Sequence, residues 1–429
     1  MQLKNFLKQG FWVLLIRTSG AGLAFISTLV FAQLLGAEQF GLFSLALTFI
    51  TILGVFVRMG LDNVVLKQVA ANLDSQPKVS NGYLYSSVLW TILFGGTVSI
   101  FLWLFSDSVS HKIFTKPELS EILKLFSILV VPFSLVFLFS SAFKSFKRPG
   151  FALLVQTVIA PLVTLLLIGL VWLYGITVNI EYIILFVISG YSFGLLGYIY
   201  FWRKDFINFG IDKQSIAQLL KEGFPMLLIS SGALILAWSD TIILGIYATA
   251  KEVGIYAVAS RVVMVTSLVL IALNAITAPK YALFYRENNI QAIKHLAQQS
   301  FLILIATASV PIMFFVFYSE WFMGLFGAQY RTGAIILIIL SVGQFVNVSF
   351  GSVGYLLSMT GRENSLRNIM LTSSAINIIL SIIGVKLYGY VGVAYATAFS
   401  TILWNALSLI VVKRHLGFWT ISLRLKNEK

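Results

Sequence analysis

Five ionisable side chains lie within or at the ends of long apolar segments of this chain: Arg17, Arg58, Asp62, Asp240 and Arg261. A charge in hydrocarbon is costly unless it is paired or hydrated, so such residues are functional candidates by default. Arg17, Asp240 and Arg261 lie well inside their segments, and their summed charge is positive. A pathway of that sign favours an anion, and the planar guanidinium group suits phosphate in particular. Arg17 has no obvious charged partner nearby in the sequence, so it is the strongest single candidate for a binding residue.

The remaining charges form pairs whose role the sequence leaves open. Asp240 and Arg261 lie ten and eleven residues from the middle of a predicted hairpin near Ala250, which places them at similar depth on adjacent antiparallel helices. Either they form an ion pair that pins the two helices together, or Arg261 faces a cavity and Asp240 tunes its charge or accepts a proton. Arg58 and Asp62 are i,i+4 neighbours, for which a local pair is favoured over a ligand site. The predicted anion-binding residues are Arg17, Arg58 and Arg261, and the predicted ion-pair or coupling residues are Asp240 and Asp62.

The segments that carry these charges are predicted membrane-spanning helices. Hydrophobic residues make up 59% of the 429 residues and charged residues 11%, whereas a soluble domain has about 25% charged residues. A helix crosses a bilayer with about 20 predominantly apolar residues. Segments of that length can be drawn at 11–33, 42–61, 83–105, 122–143, 151–173, 181–201, 223–246, 253–277, 299–318, 333–357, 368–388 and 392–412. We therefore predict an all-α integral membrane protein with twelve transmembrane helices.

The distribution of basic residues predicts the orientation of these helices. The formal net charge is +14, and of the 30 lysines and arginines 22 fall in alternate connecting or terminal segments, against six in the others. Cytoplasmic loops carry such an excess of lysine and arginine. We therefore expect both termini to be cytoplasmic. The same asymmetry explains the basic net charge without a nucleic acid partner.

A decapeptide repeats at an offset of 213 residues. LKQGFWVLLI occupies residues 7–16, and LKEGFPMLLI occupies residues 220–229. The repeat aligns the first six predicted helices with the last six and predicts two pseudo-symmetric six-helix lobes, residues 1–212 and 213–429. Transporters with such repeats place the substrate site at the interface of the repeats.

Several kinds of chemistry lack their residues in this sequence. There are no cysteines, which excludes disulfides, thiolate metal sites and cysteine nucleophiles. No metal-ligand cluster, phosphate-binding glycine loop or Ser/His/Asp constellation stands out. We therefore predict that the protein is not an enzyme and has no catalytic residues, metal site or cofactor.

Two stretches resemble a known family. Residues 31–70 read FAQLLGAEQFGLFSLALTFITILGVFVRMGLDNVVLKQVA, and residues 238–263 read WSDTIILGIYATAKEVGIYAVASRVV. The first resembles the start of Wzx-type polysaccharide-unit flippases in its Leu-Gly-x-x-x-Phe-Gly turn and glycine-ended second helix. The second resembles the seventh and eighth helices of the same family in its Ser-Asp and Val-Gly-x-Tyr motifs. This family belongs to the multidrug/oligosaccharidyl-lipid/polysaccharide (MOP) superfamily.

The resemblance implies a MATE-like fold and a flippase activity. The expected substrate is an oligosaccharide linked to polyprenyl (undecaprenyl) pyrophosphate. It would move by alternating access to the outer leaflet of the bacterial plasma (inner) membrane for O-antigen or capsule biosynthesis. The family's cationic cavity is carried over to Arg17 and Arg261, with Asp240 assigned by its Ser-Asp motif. The expected partners are the lipid-linked oligosaccharide, the lipid bilayer, H⁺ or Na⁺ as coupling ion, and polysaccharide polymerase machinery.

Two alternatives stay open at the level of the sequence. A cation-coupled multidrug exporter of the same superfamily would be expected to place acidic groups in its cavity, and this chain offers mainly Asp240. A membrane-embedded polysaccharide polymerase or ligase would be expected to carry a large outer loop, whereas the longest predicted outer segment here covers only residues 106–121.

Overall fold

The computed structural model of the protein describes residues 2–205 and 212–421, without side chains at residues 2–11, 14, 205, 228–236 and 275. These residues form helices and turns, and no β-strand occurs among them. The predicted all-α class is therefore confirmed. The α-helices are α1 (Gln2–Arg58), α2 (Leu61–Asn72), α3 (Pro77–Ser108), α4 (Leu119–Ser127), α5 (Val130–Ser145), α6 (Pro149–Leu154), α7 (Ala160–Leu173), α8 (Ile180–Asp205), α9 (Ile216–Tyr247), α10 (Ala250–Met264), α11 (Ser267–Arg286), α12 (Ile290–Phe317), α13 (Ser319–Gly324), α14 (Ala334–Ser349), α15 (Val353–Met359) and α16 (Glu363–Leu416).

Short non-α turns extend or interrupt some of these helices. Val109–Ile113 is a π-helical turn after α3, Val155–Ile159 is a π-helical turn between α6 and α7, and Ala328–Gly333 is a 3₁₀ helix before α14. Residues 206–211 of the predicted cytoplasmic connection and the predicted cytoplasmic C-terminus at 422–429 lie outside the described residues.

The two longest helices are hairpins rather than straight rods. Gly36 in α1 has φ 71° and ψ 173°, which are not helical values. The rings of Phe31 and Phe43, on either side of it, lie 5.5 Å apart between centroids. In a straight helix residues twelve apart are separated by about 18 Å along the axis. The chain therefore folds back at Gly36.

The other long helix, α16, also folds back, at Gly389, which has φ 60° and ψ −148°. A Cβ placed on Gly384 would lie 2.6 Å from the carbonyl oxygen of Gly392, and one placed on Gly392 would lie 2.1 Å from that of Gly384. Eight residues of straight helix would separate these glycines by about 12 Å. The two arms of the hairpin thus touch backbone to backbone, which only glycine permits.

Among the described residues, eight helical segments are long and apolar enough to cross a membrane, or nine when the bent pair of α4 and α5 is counted as one crossing. This count treats α1 and α16 as one segment each, although each contains two of the predicted spans and folds back between them.

The chain divides into two compact units, Met1–Leu234 and Ile235–Lys429. The boundary lies inside α9, later than the predicted boundary after residue 212. The first unit has a core of buried aromatic and aliphatic side chains from α2, α3, α5 and α8, in which the Tyr198 hydroxyl donates to the Ala152 carbonyl at 2.5 Å. The second unit has two smaller clusters, one around Tyr281 and one around Leu304.

A glycine contact fixes the corner between α1 and α2 in the first unit. Met59 and Gly60 both have positive φ, 50° and 76°. A Cβ on Gly60 would lie 2.2 Å from the carbonyl oxygen of Gly223, and a Cβ on Gly223 would lie 2.5 Å from that of Met59. Gly223 is the glycine of the second copy of the repeat. Its lack of a side chain therefore lets α9 approach the corner that carries Arg58 and Asp62.

Candidate functional site

The first arm of α1 presents a charged, polar surface. Arg17 is exposed, and so are its neighbours Thr18 and Ser19. The hydroxyls of Thr18 and Ser19 donate to the Leu15 carbonyl at 3.0 and 2.8 Å. Among the described residues, Arg17 makes no hydrogen bond or ion pair. An arginine within a membrane span needs water or an anion when protein does not neutralise it, so this surface is suited to bind an anion.

Lys144 adds a second accessible cation. It is half-buried near the end of α5, and the charges of both Arg17 and Asp62 act on it. Together with Arg58, the cluster contains three cations and one anion, a net charge of +2. Arg17 and Lys144 act on each other electrostatically, and Asp62 is the one carboxylate of the cluster. This excess of positive charge favours binding of a multiply charged anion over binding of a cationic drug.

Arg58 and Asp62 form the ion pair that the sequence favoured. The Arg58 Nε lies 3.6 Å from Asp62 Oδ2, with side-chain exposures of 5% and 29%. The guanidinium also lies 4.9 Å from the centroid of the Phe137 ring. The residues are not on one continuous helix, because the left-handed turn at Met59 and Gly60 separates them. This burial favours a structural role for Arg58 over its predicted contact with an anion.

In the second unit, the Asp240 carboxylate accepts two hydroxyl hydrogen bonds. Tyr256 on α10 donates to Asp240 Oδ2 at 2.8 Å, and Thr397 on α16 donates to the same oxygen at 2.6 Å. Asp240 is 7% exposed. The carboxylate thus joins three helices inside the unit.

Two polar atoms beside this carboxylate have no hydrogen-bond partner in the part of the chain that the structure describes. They are Asp240 Oδ1 and Asn377 Nδ2, both buried, and the Asn377 side chain lies close enough to Asp240 to interact with it. Asn377 is held in place because its Oδ1 accepts from the Ser239 hydroxyl at 3.1 Å. Buried polar atoms are nearly always satisfied, so Asp240 Oδ1 is available to the Asn377 amide, to a water molecule, or to a proton or small cation.

An ion pair between Asp240 and Arg261, one of the two alternatives that the sequence left open, is not among the ion pairs of the described residues. The reason lies in the helical periodicity of α10. Tyr256 faces Asp240, and Arg261 follows it by five residues, which turns its side chain about 140° around the helix axis. Arg261 is half-buried, and its predicted role in anion binding remains a prediction.

A family model that matches most of the chain assigns its family. Residues 6–279 match the model of the polysaccharide biosynthesis protein family, which covers more than half of the chain. The chain belongs to this family.

Two similar proteins come from archaea. One is the "Probable low-salt glycan biosynthesis flippase Agl15" of Haloferax volcanii, which is 26% identical over 394 residues, 89% of this chain and 78% of that protein. The other is the "Uncharacterized membrane protein MJ1068" of Methanocaldococcus jannaschii, which is 23% identical over 419 residues, 92% of this chain and 81% of that protein.

Solved structures show the fold of this family member. An inward-facing MATE family transporter of the MOP superfamily has a TM-score of 0.76 at 14% identity, covering 93% of this chain and 94% of its own. The lipid II flippase MurJ in an inward closed conformation has a TM-score of 0.76 at 17% identity, covering 93% and 87%. The predicted MATE-like fold is therefore confirmed at the level of architecture.

Sequence reasoning did not single out Lys144, Tyr256, Asn377 or Thr397 as site residues. Lys144 was counted only as one of the basic residues that determine orientation. The other three are uncharged, and nothing in their spacing relates them to Asp240, which is 137 residues from Asn377 and 157 from Thr397. Asn377 and Thr397 lie on the two arms of α16, and both come close to Asp240 because that helix folds back at Gly389.

Proposed function

We propose that the protein is a flippase that moves an oligosaccharide linked to polyprenyl pyrophosphate from the cytoplasmic to the outer leaflet of the plasma membrane by alternating access. Arg17 carries the proposal, because its exposed guanidinium lies about 9 Å inside a predicted span and makes no ion pair among the described residues. A cation so placed requires water or an anion. Family membership and the likeness to the "Probable low-salt glycan biosynthesis flippase Agl15" support a lipid-linked glycan as the source of that anion.

The barrier that the protein lowers is the desolvation of the substrate headgroup. Pyrophosphate charges and sugar hydroxyls would lose their hydration in hydrocarbon. Arg17 and Lys144 offer charge-assisted hydrogen bonds to phosphate oxygens. Arg261, in the second unit, is proposed as a further pyrophosphate ligand. The polyprenyl tail has no such barrier and stays in lipid during the transfer.

We propose the Asp240 site as the place where H⁺ or Na⁺ couples to transport. The Oδ1 of Asp240 accepts no hydrogen bond of normal geometry from the described residues, which supports this role. Carboxylate and hydroxyl oxygens, as in Asp240, Tyr256 and Thr397, are the ligand type that hard cations prefer. Because these residues join α9 to α10 and to the second arm of α16, a bound cation would change how those helices hold together.

The membrane arrangement proposed for this function is twelve crossings in two six-helix lobes with both termini cytoplasmic. The hairpins at Gly36 and Gly389 support it, since each divides a long helix at the boundary of two predicted spans. The finer parts of the proposal rest on the resemblance of residues 31–70 and 238–263 to Wzx-type flippases. These parts are the undecaprenyl carrier, the O-antigen or capsule product, the polymerase partner and the bacterial inner membrane. The two similar proteins named above come from archaea, so a lipid extract of the native cells tests the carrier.

Deletion of the gene tests the function, and complementation tests the residues. Cells without the protein are expected to accumulate lipid-linked oligosaccharide and to lose the corresponding surface glycan. Wild-type protein and Arg17→Lys, which keeps the charge, should restore the glycan. The double variant Arg17→Ala with Arg261→Ala should reach the membrane and fail to restore it. No accumulation in the deletion strain would refute the function, and full restoration by the double variant would refute only the site assignment.

A further inference from the structure

Three carboxamides form a head-to-tail chain in the second unit, outside the Asp240 site. The Asn405 Nδ2 donates to Asn347 Oδ1 at 3.0 Å, and the Asn347 Nδ2 donates to Gln344 Oε1 at 3.3 Å. The Gln344 Nε2 then donates to the hydroxyl of Ser267. The chain thus connects α16, α14 and α11 through hydrogen bonds between side chains alone.

Local structure explains why these four residues meet. The helix breaks between α10 and α11, where i to i−3 hydrogen bonds replace the α-helical pattern at Val265, Thr266 and Leu268. The break places Ser267 at the first residue of α11. On α14, a Cβ at Gly343 would lie 2.8 Å from the Cα of Ala398. This close approach of α14 to the second arm of α16 lets Asn347 reach Asn405.

The carboxamide chain lies near the middle of the predicted membrane. Gln344 is ten residues from the start of α14, about 15 Å along the helix axis. Ser267 and Asn405 each lie within three residues of the centre of their predicted spans, 253–277 and 392–412. Substrate sites of transporters lie at this depth, whereas lipid at this depth offers a polar group no partner.

The hydrogen-bonding capacity of each carboxamide shows which of them is available to a ligand. A carboxamide has two N–H donors and an oxygen that accepts two hydrogen bonds. Asn405 is fully buried and uses its amide nitrogen for both Asn347 and the Thr401 carbonyl, the latter at 2.8 Å. It therefore serves as an anchor. Gln344 and Asn347 are half-buried, and each keeps one donor and one acceptor position that the described residues do not fill.

A second observation points to a ligand or water at this place. The Oδ1 of Asn405 is buried and has no hydrogen-bond partner among the described residues. If the chain served only to hold helices together, all of its buried atoms would be expected to be satisfied. An orphan acceptor beside two accessible carboxamides instead fits a site completed by an external hydroxyl group.

We infer that Gln344 and Asn347, anchored by Asn405, form a subsite that binds the hydroxyl groups of the glycan. The inference rests on the proposed function, because it assigns the sugar part of the same substrate. One donor and one acceptor on each of two fixed carboxamides match neighbouring sugar hydroxyls, each of which both donates and accepts. This subsite distinguishes glycan-bearing carriers from bare ones, and the cations bind the pyrophosphate that both share.

Binding of two lipids to the purified full-length protein tests the inference. The probes are sugar-free undecaprenyl pyrophosphate and the lipid-linked oligosaccharide extracted from cells that lack the protein. Asn347→Leu and Gln344→Met keep side-chain size and remove hydrogen bonding. Each is expected to weaken binding of the glycan-bearing lipid about tenfold, the effect of losing one or two hydrogen bonds to the ligand, and to leave binding of the sugar-free lipid unchanged. Gln298→Met is the matched control, since the Gln298 amide donates to the Trp419 carbonyl at 3.2 Å, away from the carboxamide chain.

The possible outcomes separate the two proposals. Equal losses for both lipids, or lost folding in both variants, would show that the chain only holds helices together. Unchanged binding in both variants, or equal wild-type affinity for the two lipids, would also overturn the subsite and leave the pyrophosphate site standing. A wild-type protein that binds neither lipid would overturn the subsite and the proposed function together.

Discussion

The buried pair of Arg58 and Asp62 offers a quantitative test of which charges bind substrate and which hold the fold. Its 3.6 Å separation corresponds to about 5 kcal/mol of attraction at an effective dielectric constant near 20. Removing one partner of a buried pair costs about 3–5 kcal/mol, because the other charge stays buried without compensation. Asp62→Asn should therefore destabilise the protein by about that amount. Arg58→Met should cost less, since Asp62 is 29% exposed and can be hydrated.

The two single variants and the double variant Arg58→Met with Asp62→Leu form a double-mutant cycle, in which the double variant is decisive. Replacement of a buried pair by apolar side chains is often neutral, and Phe137 provides an apolar neighbour. Its stability should lie within about 1 kcal/mol of wild type. Because the pair is net neutral, the charge of the cluster stays at +2, and transport should persist.

Thermal unfolding in detergent and glycan complementation measure the two effects separately. A double variant as unstable as Asp62→Asn would refute the energetic argument. A stable double variant that does not transport would show that the pair takes part in transport, in line with the predicted anion-binding role of Arg58.

Contacts within each unit make three further sets of variants informative. Gly392→Val should abolish folding of the α16 hairpin, seen as lost monodisperse protein in detergent, whereas Gly96→Ala, with nothing within 4 Å of an added Cβ, should behave as wild type. Thr397→Val removes a hydroxyl that donates to Asp240 at 2.6 Å. This variant should change the dependence of transport on the H⁺ or Na⁺ gradient. An unchanged dependence would count against the coupling site. Lys144→Met should weaken binding of undecaprenyl pyrophosphate about tenfold, as expected for the loss of one charge-assisted hydrogen bond, and Lys144→Arg should not.

Composition and periodicity were sufficient to predict the helical membrane architecture. Every predicted span overlaps a helix, and the turns at Gly36 and Gly389 lie in the gaps between predicted spans. The sequence did not show why the hairpin of α16 needs Gly384 and Gly392, because their contact depends on how the two arms cross. The repeat was visible in the sequence. The structure explains why its second copy has glycine at Gly223, because a side chain there would collide with the Met59 carbonyl at the corner between α1 and α2.

The candidate sites were less accessible to sequence reasoning. Charges inside apolar spans are visible in a sequence, so Arg17 and Asp240 could be found. The partners of Asp240 are hydroxyls on distant helices, and such hydroxyls are common in membrane helices for packing reasons alone. Depth along the helices allowed an ion pair of Asp240 with Arg261 as one of two alternatives, and in the structure Tyr256 on α10 is the residue that bonds Asp240. The depth of a residue along a helix follows from counting residues, whereas the neighbour that its side chain faces depends on tertiary packing.

The most direct measurement of the central claim is transfer of lipid-linked oligosaccharide across the bilayer of proteoliposomes that contain only this protein. Glycan on the outer leaflet is cleaved by an added glycosidase, so transfer appears as cleavage beyond the fraction initially accessible. We expect the wild-type protein to make the whole pool accessible. Arg17→Ala should leave the inner-leaflet pool protected, and Arg17→Lys should restore part of the transfer. Equal rates for the wild type and Arg17→Ala would contradict the claim that a positively charged surface in the first unit carries the pyrophosphate across the membrane.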